Sequence, residues 1–177
     1  MDAAPKRTIQ IAGGHANLAV VAAIGHVCLQ WSRLEMTVFG LLVTIELVEL
    51  EKGAILFGGL DLLPRLNLAI SLARANKVPI RLIKRIEEVR RAIQKGGLAE
   101  RRNQVVHGAH KDMAEFETTL TMVRWSGEKR TKRFTAKSIN EVAIEAYALG
   151  DEVWKAMDEI GKWRLKKISD EAVEHYE

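Results

Sequence analysis

Residues 80–107 read IRLIKRIEEVRRAIQKGGLAERRNQVVH, and this stretch decides the fold class. Leu82, Ile86, Val89 and Ile93 follow a 4-3-4 spacing, which puts all four on one side of a helix turning ~100° per residue. Arg81, Lys84, Arg85, Glu88, Arg91 and Lys95 mostly face away. The spacing therefore predicts an amphipathic helix with a basic outer side. Gly96 and Gly97 weaken it by about 1 kcal/mol each relative to alanine, so the helix either kinks there or stops and restarts at Leu98. Gly108, directly after His107, is placed to end the second piece as a left-handed cap.

Working back toward the N-terminus, Pro79 and Asn76-Lys77 punctuate the chain, and Pro64 is placed to open a helix that runs to about Ala75. Residues 53–61 predict a short helix or turn, weakened by Gly53, Gly58 and Gly59. Before them, residues 16–49 predict one long helix. Leu34, Val38, Leu41, Leu42 and Ile45 recur on one face of it, and Trp31 continues the stripe. Residues 1–15 are expected to form a flexible arm. Cys28, the single cysteine, excludes an internal disulfide and is expected to be a small buried hydrophobe in a reducing compartment.

Working forward, Leu120, Met122 and Arg124 alternate with Thr121, Val123 and Trp125, and Ser126-Gly127 supplies a turn. Residues 118–135 therefore predict a small peripheral β-hairpin. Ser138 and Glu141 have the spacing of a capping box, and Val142, Ile144, Ala148, Val153, Met157 and Ile160 are expected to line the apolar side of a last long helix. No repeat or linker divides the chain. The expectation is a single all-α helical domain over residues 1–177.

Of 177 residues, 47% are hydrophobic and 28% charged, which suits a packed globule and excludes a disordered chain. The uncharged run from Thr8 to Ser32 contains Gln10, His15, Asn17, His26 and Gln30, too many polar groups for a helix facing lipid. The opening residues lack the apolar block of a secretory signal. A cytoplasmic protein without a membrane partner is expected. Residues 79–137 hold 15 Lys and Arg against 7 Asp and Glu, whereas the rest hold 12 against 16. That asymmetry suits an anionic partner; a solvated charged face is the plainer alternative.

The chemically pointed segment is Arg102-Asn103-Gln104-Val105-Val106-His107. Asn103 and His107 are four apart on a helix and share a face, so the amide can orient the imidazole. Arg102 and His107 are five apart, separated by ~140° around the axis and ~7.5 Å along it. On that spacing one copy does not readily aim both side chains at one atom, whereas two copies meeting across a two-fold axis do. An imidazole with a second one nearby supplies acid and base for attack of a ribose 2′-hydroxyl on the adjacent phosphate, and a planar guanidinium suits the phosphate. This chemistry calls for no metal and no cofactor, and no cluster of carboxylates and histidines stands at ligand spacing. Arg101 and His110 flank the segment, and Lys129 and Arg130 on the hairpin are further candidates for holding substrate. Ion pairing and protection of a bare sheet edge are the competing explanations for those cations.

The segment resembles the Arg-x4-His motif of HEPN domains, in the form where Asn follows Arg and Gly follows His. A long helix leading in, a hairpin after it and a closing helix extend the likeness in pattern over about two-thirds of the chain. The resemblance implies a HEPN-like helical bundle that forms a homodimer, and a metal-independent endoribonuclease of the toxin–antitoxin or phage-defence kind with RNA as substrate. It implies catalysis by Arg102 and His107 with Asn103 as polar neighbour, in a site composed by both protomers, and an antitoxin protein as a partner. Some of these toxins carry a tyrosine two residues after the histidine, where an antitoxin modifies them; Ala109 stands there in this chain. The alternative is a non-catalytic module of the same fold that binds RNA, a nucleotide or a protein.

Overall fold

The computed structural model describes residues 8–11, 14–111, 117–123 and 129–174. In chain order the elements are β1 (Thr8–Ile11), β2 (Gly14–Asn17), α1 (Leu18–Glu46), α2 (Leu50–Phe57), α3 (Leu62–Ala75), α4 (Ile80–Lys95), α5 (Leu98–His107), β3 (Ala109–Lys111), β4 (Glu117–Val123), β5 (Lys129–Thr135) and α6 (Ala136–Glu174). The chain is mostly helical, with six helices among the described residues and two small antiparallel sheets. It divides into two compact units, Met1–Trp31 with Gly97–Ala146, and Ser32–Gly96 with Tyr147–Glu177. The divisions fall inside α1 and α6 and between α4 and α5. No single described helix is long and apolar enough to cross a membrane.

The second unit holds the stripes that periodicity predicts. Leu34, Val38, Leu41, Leu42 and Ile45 of α1 are fully buried, and so, nearly, are Leu82, Ile86, Val89 and Ile93 of α4. Leu66, Ala69 and Ala73 of α3 and Val153, Ala156 and Ile160 of α6 complete this core. Each large aliphatic side chain removed from water contributes about 1.5–3 kcal/mol, enough to decide which face of each helix turns inward. Pro64 is the third residue of α3 rather than its first; its missing N–H still falls in the first turn, where no intrahelical acceptor exists. After α3, Lys77 takes a left-handed φ of 58°. Lys77 N–H then donates to Arg74 O at 3.0 Å and Val78 N–H to Ala73 O at 2.9 Å, a Schellman end with Val78 buried beneath it. Arg164 reaches from α6 to the Ile45 carbonyl and to Asn76 Oδ1, closing the exposed carbonyl end of α1.

In the first unit, β4 and β5 form the expected hairpin, in register from Glu117 opposite Thr135 to Val123 opposite Lys129. Sequence reasoning misses β3, which adds to the other side of β4 with His110 opposite Leu120. This third strand also explains why Gly108 is not a left-handed cap. Its φ of −70° and ψ of 144° are extended, because the chain leaves α5 directly into a strand. Residues 8–11 and 14–17 pair as antiparallel strands, where the sequence predicts a flexible arm up to residue 15 and the first helix from residue 16; that helix starts at Leu18 instead. The capping box lies three residues before the expected one. Thr135 N–H donates to Ser138 Oγ and Ser138 N–H to Thr135 Oγ1, both at 3.0 Å, so Ser138 closes the box instead of opening it, and Glu141 is exposed.

The inner side of α6 is also corrected. Ile144 and Ala148 face out, and the first-unit part of α6 buries Ile139, Val142, Ala143 and Ala146. Val142, Val153 and Ile160 of the expected row are buried as expected, and the alanines between them, which a scan for large hydrophobes passes over, complete that face. Cys28 is half-buried rather than buried. Trp125 and the expected turn at Ser126-Gly127 lie outside the described residues.

Candidate functional site

α5 is ten residues long and is anchored by Leu98 and Val105, seven apart and fully buried. Two helical turns separate these anchors, so they fix one face and leave Asn103 and His107 exposed, with Arg102 half-buried between. Gly97, at φ 59°, precedes α5. Its carbonyl accepts the Arg101 N–H at 2.9 Å, which sets the register of everything downstream.

Arg102 Nη1 lies 2.8 Å from Asn103 Oδ1 and 2.9 Å from His107 Nε2. A guanidinium has only donors to give. Nη1 therefore donates to both, and in this contact His107 Nε2 is the lone-pair nitrogen with the ring proton on Nδ1. The spacing argument against a meeting within one copy is overturned here. The angle between Cα positions is unfavourable, but an arginine side chain is long enough to cross it. Trp31 holds it in that pose: the guanidinium carbon stands 5.4 Å from the indole centroid, and the indole is itself buried in the first-unit core. Stacking of this kind contributes roughly 0.5–2 kcal/mol. Arg102 Nε is closed off from solvent with no hydrogen-bond partner among the described residues, so part of the cation is desolvated over the ring. Trp31 is the functional neighbour that sequence reasoning misses. Its place on the apolar stripe signals burial, and nothing in the spacing signals which cation lies on it.

The remaining candidates are placed differently. Arg101 pairs with the Glu145 carboxylate, which neutralises it, and Glu100 accepts from Gln104 Nε2 at 3.3 Å. His110 Nε2 lies 3.0 Å from the Val105 carbonyl and Nδ1 lies 3.2 Å from Thr118 Oγ1. A carbonyl only accepts, so Nε2 donates to it and Nδ1 accepts from the threonine hydroxyl. Both ring nitrogens are used, and Thr118 is 1% exposed. His110 thus pins the end of α5 to the sheet. Lys129 and Arg130 lie on β5, opposite Val123 and Met122; their side chains are outside the description. His26, expected to be structural, hydrogen-bonds Asn140 across α1 and α6. The structure thus brings Arg102, Asn103 and His107 together and gives Arg101 and His110 other partners. Among the described residues no three His, Cys, Asp or Glu converge to offer a metal donor set.

No protein-family model matches the chain, and no curated protein or solved structure matches it either.

Proposed function

We propose that the chain is a metal-independent endoribonuclease of HEPN type, acting in the cytoplasm as a homodimer in a toxin or defence system. The observation that supports this reading is the Arg102–His107 pair. It sets a permanently charged guanidinium and an imidazole 2.9 Å apart at the exposed end of α5. A phosphodiester offers Arg102 a charged acceptor, and charge-assisted hydrogen bonds are roughly twice as strong as neutral ones. The incoming phosphate therefore draws Arg102 off the imidazole and frees Nε2. His107 Nε2 takes the proton of the ribose 2′-hydroxyl, and that oxygen attacks phosphorus. The bond from phosphorus to the 5′-oxygen breaks, leaving a 2′,3′-cyclic phosphate, and the leaving oxygen takes a proton from the partner's His107, which must enter this step as the imidazolium with its Nε2–H turned off its own Arg102. Asn103, already bound to Nη1, keeps the guanidinium aimed as the phosphate turns.

Incubation of purified protein with RNA in EDTA tests this. Wild type cleaves and leaves cyclic phosphate ends; Arg102→Ala and His107→Ala are each slower by about 10²–10⁴, the range for a lost acid–base group. Equal behaviour of wild type and variants overturns the proposal, and tight RNA binding without cleavage in wild type favours the non-catalytic module.

A further inference from the structure

The basic outer side of α4 is not uniform. Near the start of the helix, Arg81 and Arg85 hydrogen-bond Glu159, and Arg85 also lies 3.9 Å from Glu152. Near its end, Arg90 and Arg91 have no carboxylate partner among the described residues. Arg90 Nη1 donates to the neutral Asn67 Oδ1 at 3.2 Å, and Arg91 Nε donates to the Glu87 backbone carbonyl at 3.3 Å. Arg90 Nε is shut away from solvent with no acceptor among the described residues, a condition that buried donors rarely keep. Both side chains line a cleft of about 390 Å³ between α3 and α4, together with Arg74 and Glu87. Glu87 is already paired with Arg74 at 2.5 Å.

Three guanidiniums against one carboxylate leave the walls with an excess of two positive charges. The cleft is of the size that small-molecule sites occupy. Guanidinium forks match phosphate oxygens two at a time, which neither ammonium groups nor solvent reproduce. Asn67, with its oxygen taken by Arg90, keeps its amide N–H groups for a further oxygen. We propose that this cleft is a phosphate-binding site, taking the dianionic phosphoryl group of a nucleotide-sized ligand or the phosphodiester of an RNA strand. All of these residues belong to the second unit, and the proposal stands without the nuclease reading.

Calorimetric titration at ~100 mM salt with inorganic pyrophosphate, with AMP, and with a 12-nucleotide RNA lacking terminal phosphates tests it. The RNA arm uses the His107→Ala chain so that the strand is not cut. Binding of pyrophosphate and AMP identifies a terminal phosphate as the ligand, and binding of the RNA alone identifies the backbone. In either case the Arg90→Gln/Arg91→Gln double variant weakens binding at least about tenfold, the scale of a lost charged hydrogen bond. Glu87→Gln releases Arg74 and tightens binding severalfold. That gain is readable even if the double variant does not fold. No binding of any probe, or affinities that Arg90, Arg91 and Glu87 substitutions leave unchanged, overturns the proposal.

Discussion

Replacing Gly97 with alanine isolates the backbone condition on which α5 depends. Gly97 stands at φ 59°, and a Cβ built there meets nothing within 4 Å, so no steric clash enters the cost. A left-handed conformation costs an L-residue roughly 1–2 kcal/mol. Alanine also narrows the unfolded ensemble, which returns about 0.4–1 kcal/mol. The net expectation is a loss of about 1 kcal/mol. Gly25 provides the matched control. It lies inside α1, and a Cβ there also meets nothing, but its backbone is helical, so Gly25→Ala adds roughly 0.5–1 kcal/mol. One chemical change thus has opposite signs at two sites. Urea unfolding followed by far-ultraviolet circular dichroism reads both, and Gly97→Asn, which tolerates this conformation better, falls between alanine and wild type. Equal shifts for the two alanine variants would refute the reasoning, since only backbone conformation separates the sites.

Other substitutions test the core, the pin and the charge network. Leu66→Ala removes a fully buried side chain and is expected to cost about 2–5 kcal/mol in the same unfolding assay; a cost under 1 kcal/mol contradicts the core assignment. His110→Ala leaves the Val105 carbonyl and the buried Thr118 hydroxyl without their partner and costs about 1–3 kcal/mol. Measured per folded molecule, its RNA cleavage matches wild type, and a hundredfold loss returns His110 to the site. Hydrogen bonds from Arg81 and then Arg85 hold the Glu159 carboxyl below the usual carboxylate range. Its contribution to stability is therefore full above the unfolded carboxylate pKa and is lost as pH falls through the lower folded value. Glu159→Gln flattens that acid limb, and an unchanged pH profile between about 2 and 5 argues that the network carries no linkage.

Much of the fold was legible because it rests on large side chains at helical spacing. Leu34 to Ile45 and Leu82 to Ile93 are wide rows of aliphatics, and burial energy leaves one choice of face. What escaped has a different physical origin. β3 is three residues long and has its meaning only beside β4. The alanine part of the α6 face escaped because alanines mark close packing without raising hydrophobicity. At the start of α6, Thr135 and Ser138 satisfy the cap as well as Ser138 and Glu141 do by spacing, and only the chain's path out of β5 decides between them. The site was legible as residue types, and its partners were not: Glu145 on Arg101 and Trp31 under Arg102 are distant in sequence, and Thr118 reaches His110 only because β3 pairs with β4.

The meeting of Arg102 and His107 within one chain changes what self-association has to accomplish. On Cα spacing alone, a second copy is needed to bring a guanidinium to an imidazole at all. With Nη1 on Nε2 in the same chain, that need disappears, and under the proposed nuclease reading one chain would already carry the phosphate ligand and one proton carrier. Transesterification still needs two proton transfers on opposite sides of phosphorus, and half-buried His110, three residues after His107, has both nitrogens engaged. The case for a dimer therefore passes from the arginine to the second imidazole. A monomer would then hold RNA and lack the acid for the leaving oxygen, so cleavage would rise with the square of chain concentration well below the dimer dissociation constant, while RNA binding by Arg102 would not.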